Sequence, residues 1–151
     1  MIRDITNNLK TAMEGLVSYP NNSSPTVELE RFYLKIGTRY PFLEIEGPYT
    51  SIELDSYNVA KSTLEYVLRY YVTYNDENQS IDEITQVTRN VSGDIIKQVK
   101  LDTTRGGNAI VTKIAGYGPA FEEMENQLEF YIYVVLEVLA RIDAKDPTYL
   151  G

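Results

Sequence analysis

The sequence predicts an α+β fold: an antiparallel or mixed β-sheet with two amphipathic helices packed on one face. Three observations predict it. Gln127 to Ile142 (QLEFYIYVVLEVLARI) is apolar at every even position from Leu128 to Ile142, the period of two of a strand with one face on a core. Ser62 to Tyr74 repeats the pattern, with Leu64, Tyr66, Leu68, Tyr70, Val72 and Tyr74 opposed to Thr63, Glu65, Arg69 and Thr73. Two further stretches carry a single apolar stripe at three- and four-residue steps, the period of a half-buried helix. One-striped helices and strands with one wet face fit a sheet covered on one side.

The first helix spans the stripe Ile2, Ile5, Leu9, Ala12, Met13 and Leu16, with Asp4 in the first turn, where the helix dipole favours an acid. It is expected to end near Gly15–Ser18. SYPNNSSP (Ser18 to Pro25) stacks turn formers and reads as a loop. Glu30–Ile36 alternates, with Phe32, Leu34 and Ile36 on one face. Leu43 and Ile45 alternate with Glu44 and Glu46 before Gly47-Pro48, and Ile52 with Leu54 forms another short piece. These are one bent hairpin or several edge strands, since Pro41 and Pro48 cannot sit inside a ladder. After Ser62–Tyr74, Ser80-Ile-Asp-Glu83 reads as a capping box for a helix whose stripe is Ile84, Val87, Val91, Ile95 and Val99. Gly106-Gly107 breaks it. Ala109 to Tyr117 is the next strand, closed by Gly116-Tyr-Gly-Pro119, and the acidic FEEMEN links it to the final one.

That final strand is expected to be unusually long, well past the common five or six residues. Its β-branched and aromatic density argues against a helix, because those side chains lose rotamer freedom there and fit a pleated surface. The chain reads as a single domain, 1–151, with a loose tail at about 143–151.

At 151 residues the chain can bury roughly 68–70% of its unfolded surface. It is 43% hydrophobic and 24% charged, as soluble domains are. Neither a run of about 18 apolar residues nor a secretory leader is visible, so no membrane association is expected. Cysteine and histidine are both absent, which excludes disulfides, thiolate chemistry, zinc fingers and histidine-based triads. A net charge of −8 argues against tight binding to nucleic-acid phosphates, although an acidic surface can line a passage through which DNA slides. Tyrosine is over-used: 13 Tyr against 4 Phe and no Trp, a residue that buries a ring and keeps a polar tip at interfaces.

Candidate chemistry is sparse. Glu44 with Glu46, Glu53 with Asp55, and Glu122, Glu123 and Glu125 form carboxylate groups. Each falls in an expected turn or edge, where solvated charge is the ordinary state. Asp76, Glu77 and Asp82 miss the spacing of a calcium loop. The Gly106-Gly107 and Gly116-x-Gly118 pairs match no phosphate-binding motif. The expectation is therefore no catalytic residue, no cofactor and no metal. What remains is surface: Tyr131, Tyr133, Val135 and Leu139 on the second face of the last strand, and Val67 and Tyr71 on the matching face of Ser62–Tyr74. Either the Phe32–Leu54 strands fold back over this face, or another subunit seals it, since large apolar patches are rarely left exposed.

The layout resembles the tail terminator proteins of long-tailed bacteriophages and the related minor tail and head–tail joining proteins. The similarity rests on an N-terminal helix (Ile2–Leu16), a strand region with YPFLEIEG, then LEYVLRYYVTY, a helix over Ser80–Leu101, a strand, and the closing LEFYIYVVLEVLARID. It covers roughly Met1 to Asp143 and carries no individual functional residue. It implies a hexameric ring that caps the tail tube in the virion after assembly in the host cytoplasm. Its partners would be other copies of itself, the tail tube protein and a head-completion or neck protein, with DNA passing through unbound. The loops Val17–Glu28 and Leu101–Asn108 would reach neighbouring rings. The alternatives are a head-completion or stopper neck protein, or a small cytoplasmic adaptor domain that takes a peptide or small ligand on the second face. An enzyme ranks behind both, having only carboxylates and tyrosines to work with.

Overall fold

Alternation along the chain becomes a sheet because the apolar halves of four long strands fall on the same side. The computed structural model describes residues 2–19, 23–29, 41–54, 59–72, 81–124 and 127–143. In chain order the elements are α1 (Ile2–Glu14), β1 (Thr26–Leu29), β2 (Phe42–Leu54), β3 (Val59–Val72), α2 (Ile81–Lys100), β4 (Val111–Met124) and β5 (Gln127–Asp143). The strand order is β1-β2-β3-β5-β4. The β1–β2 pair is parallel and the other three are antiparallel, so the sheet is mixed. The fold is α+β.

Both helices lie on one face. α1 sits over β1 and β2, and α2 over β4 and β5. Ile5, Leu9 and Met13 of α1 and Val91, Ile95 and Val99 of α2 are wholly buried against Leu64, Tyr66, Leu68 and Tyr70 of β3 and Ile132, Val134, Leu136 and Val138 of β5. The buried tyrosines find polar partners for their tips, as burial of a hydroxyl requires. The Tyr66 and Thr6 hydroxyls share a 2.7 Å hydrogen bond, and Tyr70 Oη donates to the Tyr19 carbonyl at 2.6 Å. Two more bonds join the helical layer: Gln98 Nε2 donates to the Ala12 carbonyl near the end of α1 at 2.9 Å, and Ser18 Oγ to Asp94 Oδ2 at 2.7 Å.

Four features differ from the sequence reading. Thr26–Leu29, whose first three residues fall in the expected Val17–Glu28 loop, is a strand paired with Phe42–Ile45, and Val27 packs against the core. Phe42–Leu54 is one strand of the same sheet and does not lie over its second face; its register shifts between Glu46 and Tyr49. Gly47 makes that shift possible. Its φ is 115°, and a Cβ there would sit 2.6 Å from the Glu65 carbonyl. β4 runs through Gly116-Tyr-Gly-Pro119 and into FEEM, where a turn and a link were expected. It is the outer strand of the sheet, where a proline need not donate to a ladder. Lastly, the 17-residue β5 is the longest of four strands that all reach 13 residues or more, so its length is shared by its neighbours. The expected strand over Glu30–Ile36, Ser80 of the capping box, Tyr74 and the tail after Asp143 lie outside the described residues.

Beyond α2 the chain is held inward. Asp102 accepts hydrogen bonds from the Thr104 and Gly106 amides, at 3.0 and 2.7 Å, and the Gly106 bond chiefly keeps its carboxyl below the usual carboxylate range. Arg105, Gly106 and Gly107 all have positive φ. Arg105 is fully buried and donates to the Val99 carbonyl at 2.5 Å, placing a cation at the negative end of α2. Burial lowers its pKa, and its Nε and Nη1 have no hydrogen-bond partner among the described residues. The largely exposed Leu101–Asn108 loop is thus anchored to the end of α2 through Arg105.

Candidate subunit interface

The sheet face away from the helices is built by the residues between the core positions. The pairings put its side chains in rows across the strands. Phe42, Tyr71, Tyr131 and Ala120 form the first row, and Glu44, Arg69, Tyr133 and Gly118 the second. Glu46, Val67, Val135 and Gly116 follow, then Tyr49, Glu65, Glu137 and Lys113, and last Ser51, Thr63, Leu139 and Val111. All six residues singled out from the sequence, Val67, Tyr71, Tyr131, Tyr133, Val135 and Leu139, lie on this one face. Tyr71 is buried and the other five are half-buried. The core positions between them on β3 and β5, from Leu64 to Val72 and from Phe130 to Ala140, are at most 3% exposed.

An aromatic ladder crosses one end. Phe42 and Tyr71 stack with ring centroids 4.5 Å apart and planes 10° apart, and Tyr131 follows at 5.1 Å and 42°. Next to it, Arg69 bridges two carboxylates through one nitrogen: Nη1 donates to Glu46 Oε2 at 2.5 Å and to Glu44 Oε1 at 3.2 Å. Its guanidinium lies 5.9 Å from the Tyr131 ring centroid, within cation–π range. Burial would lower the Arg69 pKa, but the hydrogen bond and charge of Glu46, then the charge of Glu44, outweigh it and the net shift is upward. Glu46 is held below the usual carboxylate range, first by the 2.7 Å hydrogen bond that Tyr49 Oη donates and then by Arg69, against the opposing effect of burial.

The Glu44–Glu46 pair is therefore not the solvated charge expected of it. Both acids are tied to one cation, and Glu44 is only 9% exposed. Sequence reasoning missed this cluster. Its signal was parity: Glu44 and Glu46 share a strand face, and Arg69 lies on the wet face of its own strand. Pairing them needs the register Glu44↔Arg69, which is non-local. The Glu53, Asp55, Glu123, Glu125, Asp76 and Glu77 side chains lie outside the described ones.

Face and edge differ in kind. The outer strand β4 carries three features that blunt pairing with a further strand: a register shift between Ile114 and Gly116, Pro119, and the exposed charges Lys113 and Glu122. On the face, Tyr133 leans over Gly118 so closely that a Cβ there would lie 2.9 Å from its hydroxyl oxygen. A ring laid on a strand glycine replaces the packing that the glycine lacks. Contact through the face is open where contact through the edge is hindered. Among the described residues no group of three or more acids could hold a metal ion, and no helix is long and apolar enough to cross a membrane.

No protein-family model matches the chain, and no curated protein matches it.

Proposed function

We propose that the chain is a structural virion protein of a long-tailed phage, a tail terminator whose copies close a ring on the end of the tail tube and offer the surface that joins the head. The observation that carries self-association is the sheet face away from the helices, where half-buried Tyr131, Tyr133, Val67, Val135 and Leu139 adjoin Phe42 and Tyr71, which are already buried within the chain. Side chains of this kind are those that interface cores favour. The assignment to the phage tail is supported by the order of elements, one helix, strands, a second helix and two closing strands, which is the layout the resemblance rests on. The charge balance suits a conduit: six copies at −8 each would repel DNA phosphates and let the duplex slide.

The test is the mass of the purified protein by light scattering, with negative-stain images of the protein alone and mixed with phage tail tubes. Rings of about six, or caps on tube ends, are expected. A monomer that ignores tubes would overturn the proposal in favour of the adaptor reading. Tyr133→Asp sharpens the experiment: it is expected to leave a folded protein that no longer assembles, because it puts a charge into the contact. If it unfolds the chain instead, Tyr133 belongs to the intramolecular core and the face loses its role.

A further inference from the structure

The loop after α2 closes over a charge that the chain satisfies only in part. Arg105 is fully buried, and its Nη2 donates to the Val99 carbonyl at 2.5 Å. Its Nε and Nη1 are buried and have no hydrogen-bond partner among the described residues. Nor does any described acid lie within salt-bridge range of it. Asp102, the acid whose charge acts on Arg105, turns both carboxylate oxygens to the loop itself: Oδ1 accepts from Thr104 and Oδ2 from the Gly106 amide. A guanidinium cannot shed its proton to escape the cost of burial, so the cation has to be solvated where it lies.

A third orphan lies on the neighbouring helix. Asn8 of α1 has its Oδ1 buried without a hydrogen-bond partner among the described residues. The same amide packs on the loop. Its Nδ2 is 3.3 Å from the place a Cβ of Gly106 would take, one residue along from Arg105. α1 and the loop thus meet at Gly106, and each brings buried, unpartnered polar atoms to the contact.

The kinds of orphan select the ligand. An anion would suit the two donors but be repelled by the amide oxygen, and a cation would do the reverse. Water both accepts and donates, and native folds hold about one buried water per 27 residues, bonded to polar groups of this sort. We propose that an ordered internal water sits between Arg105 and Asn8, accepting from the guanidinium and donating to Asn8 Oδ1. It solvates the buried cation and ties the Leu101–Asn108 loop to α1. The inference does not rest on the ring-forming reading.

The test is a crystal structure of the wild-type chain at a resolution that orders solvent, repeated on a crystal soaked in bromide. One density peak is expected within hydrogen-bond distance of both an Arg105 nitrogen and Asn8 Oδ1, with no anomalous signal from bromide. Bromide at that place overturns the proposal and shows that the Asn8 amide turns its nitrogen to the site. A direct bond between Asn8 and Arg105, or no peak, overturns it too. Stability gives a second reading. Asn8→Ala is expected to lower the Tm of the wild type and to leave that of an Arg105→Met variant unchanged, since either substitution removes the bridge. Equal effects in the two backgrounds would mean that Asn8 and Arg105 act independently, which overturns the bridge.

Discussion

The two faces of one sheet are made by neighbouring residues of the same strands, yet they end in different states. On β5, Val134, Leu136 and Val138 are fully buried beneath the helices, while Tyr133, Val135 and Leu139 keep part of their surface. Polar groups divide the same way. The helix-side face admits polar atoms mainly as tyrosine tips and hydroxyls with partners, whereas the other face carries the Glu44–Arg69–Glu46 cluster beside its aromatic ladder. The lesson concerns where energy and specificity lie. The sealed face supplies stability. The other face has the mixed apolar and charged make-up common at protein interfaces, the role proposed for it.

Mutations can break that comparison. The largest effect is expected from Leu136→Ala, which opens a cavity under α2 and should cost about 2–5 kcal/mol in urea unfolding. Its neighbour Val135→Ala should cost below ~1.5 kcal/mol by the same measurement, since only a half-buried side chain is trimmed. Equal losses at both positions would mean that the open face is sealed within the chain.

Gly47→Ala comes next. The new Cβ would meet the Glu65 carbonyl and force a residue with a side chain to a φ of 115°. A loss of about 1–3 kcal/mol is expected, with the outer half of β2 loosening first in amide exchange.

At high pH the buried tyrosines of both faces should destabilise the fold. Burial raises the pKa of Tyr66 on the core side, of Tyr70, where the Asp94 charge adds to it, and of Tyr71 in the ladder, where the Glu44 charge adds to it. Their ordinary value is 10.0, so the stability they confer is complete below pH 10 and is lost as pH climbs through the raised values. Unfolding monitored from pH 9 upward should take up hydroxide with a slope approaching three protons, about two in a Tyr66→Phe variant.

The smallest effect belongs to the open face. Glu46 ionises below its ordinary value of 4.5 because Tyr49 donates to it and Arg69 attracts it. The stability it confers is therefore present above pH 4.5 and is lost as pH falls through the lowered value. Glu46→Gln should flatten that acid limb and leave stability at neutral pH nearly unchanged, as half-exposed ion pairs contribute little. An unchanged acid limb would show that Glu46 is not held by its neighbours in solution.

The sequence by itself determined which residues point where. A period of two along Leu64–Val72 and Phe130–Ala140, and a period of 3.6 along Ile2–Met13 and Val87–Val99, are local properties of backbone geometry, so the α+β class, the core and the six residues of the open face were all legible. Tertiary structure decided which strands are neighbours and in what register. That choice made Glu44 and Glu46 partners of Arg69, turned Thr26–Leu29 into a strand through parallel pairing with β2, and carried β4 past Gly118 under the Tyr133 ring. None of these could be read locally, because register joins residues far apart in the chain and a shift of one residue would send every side chain to the other face.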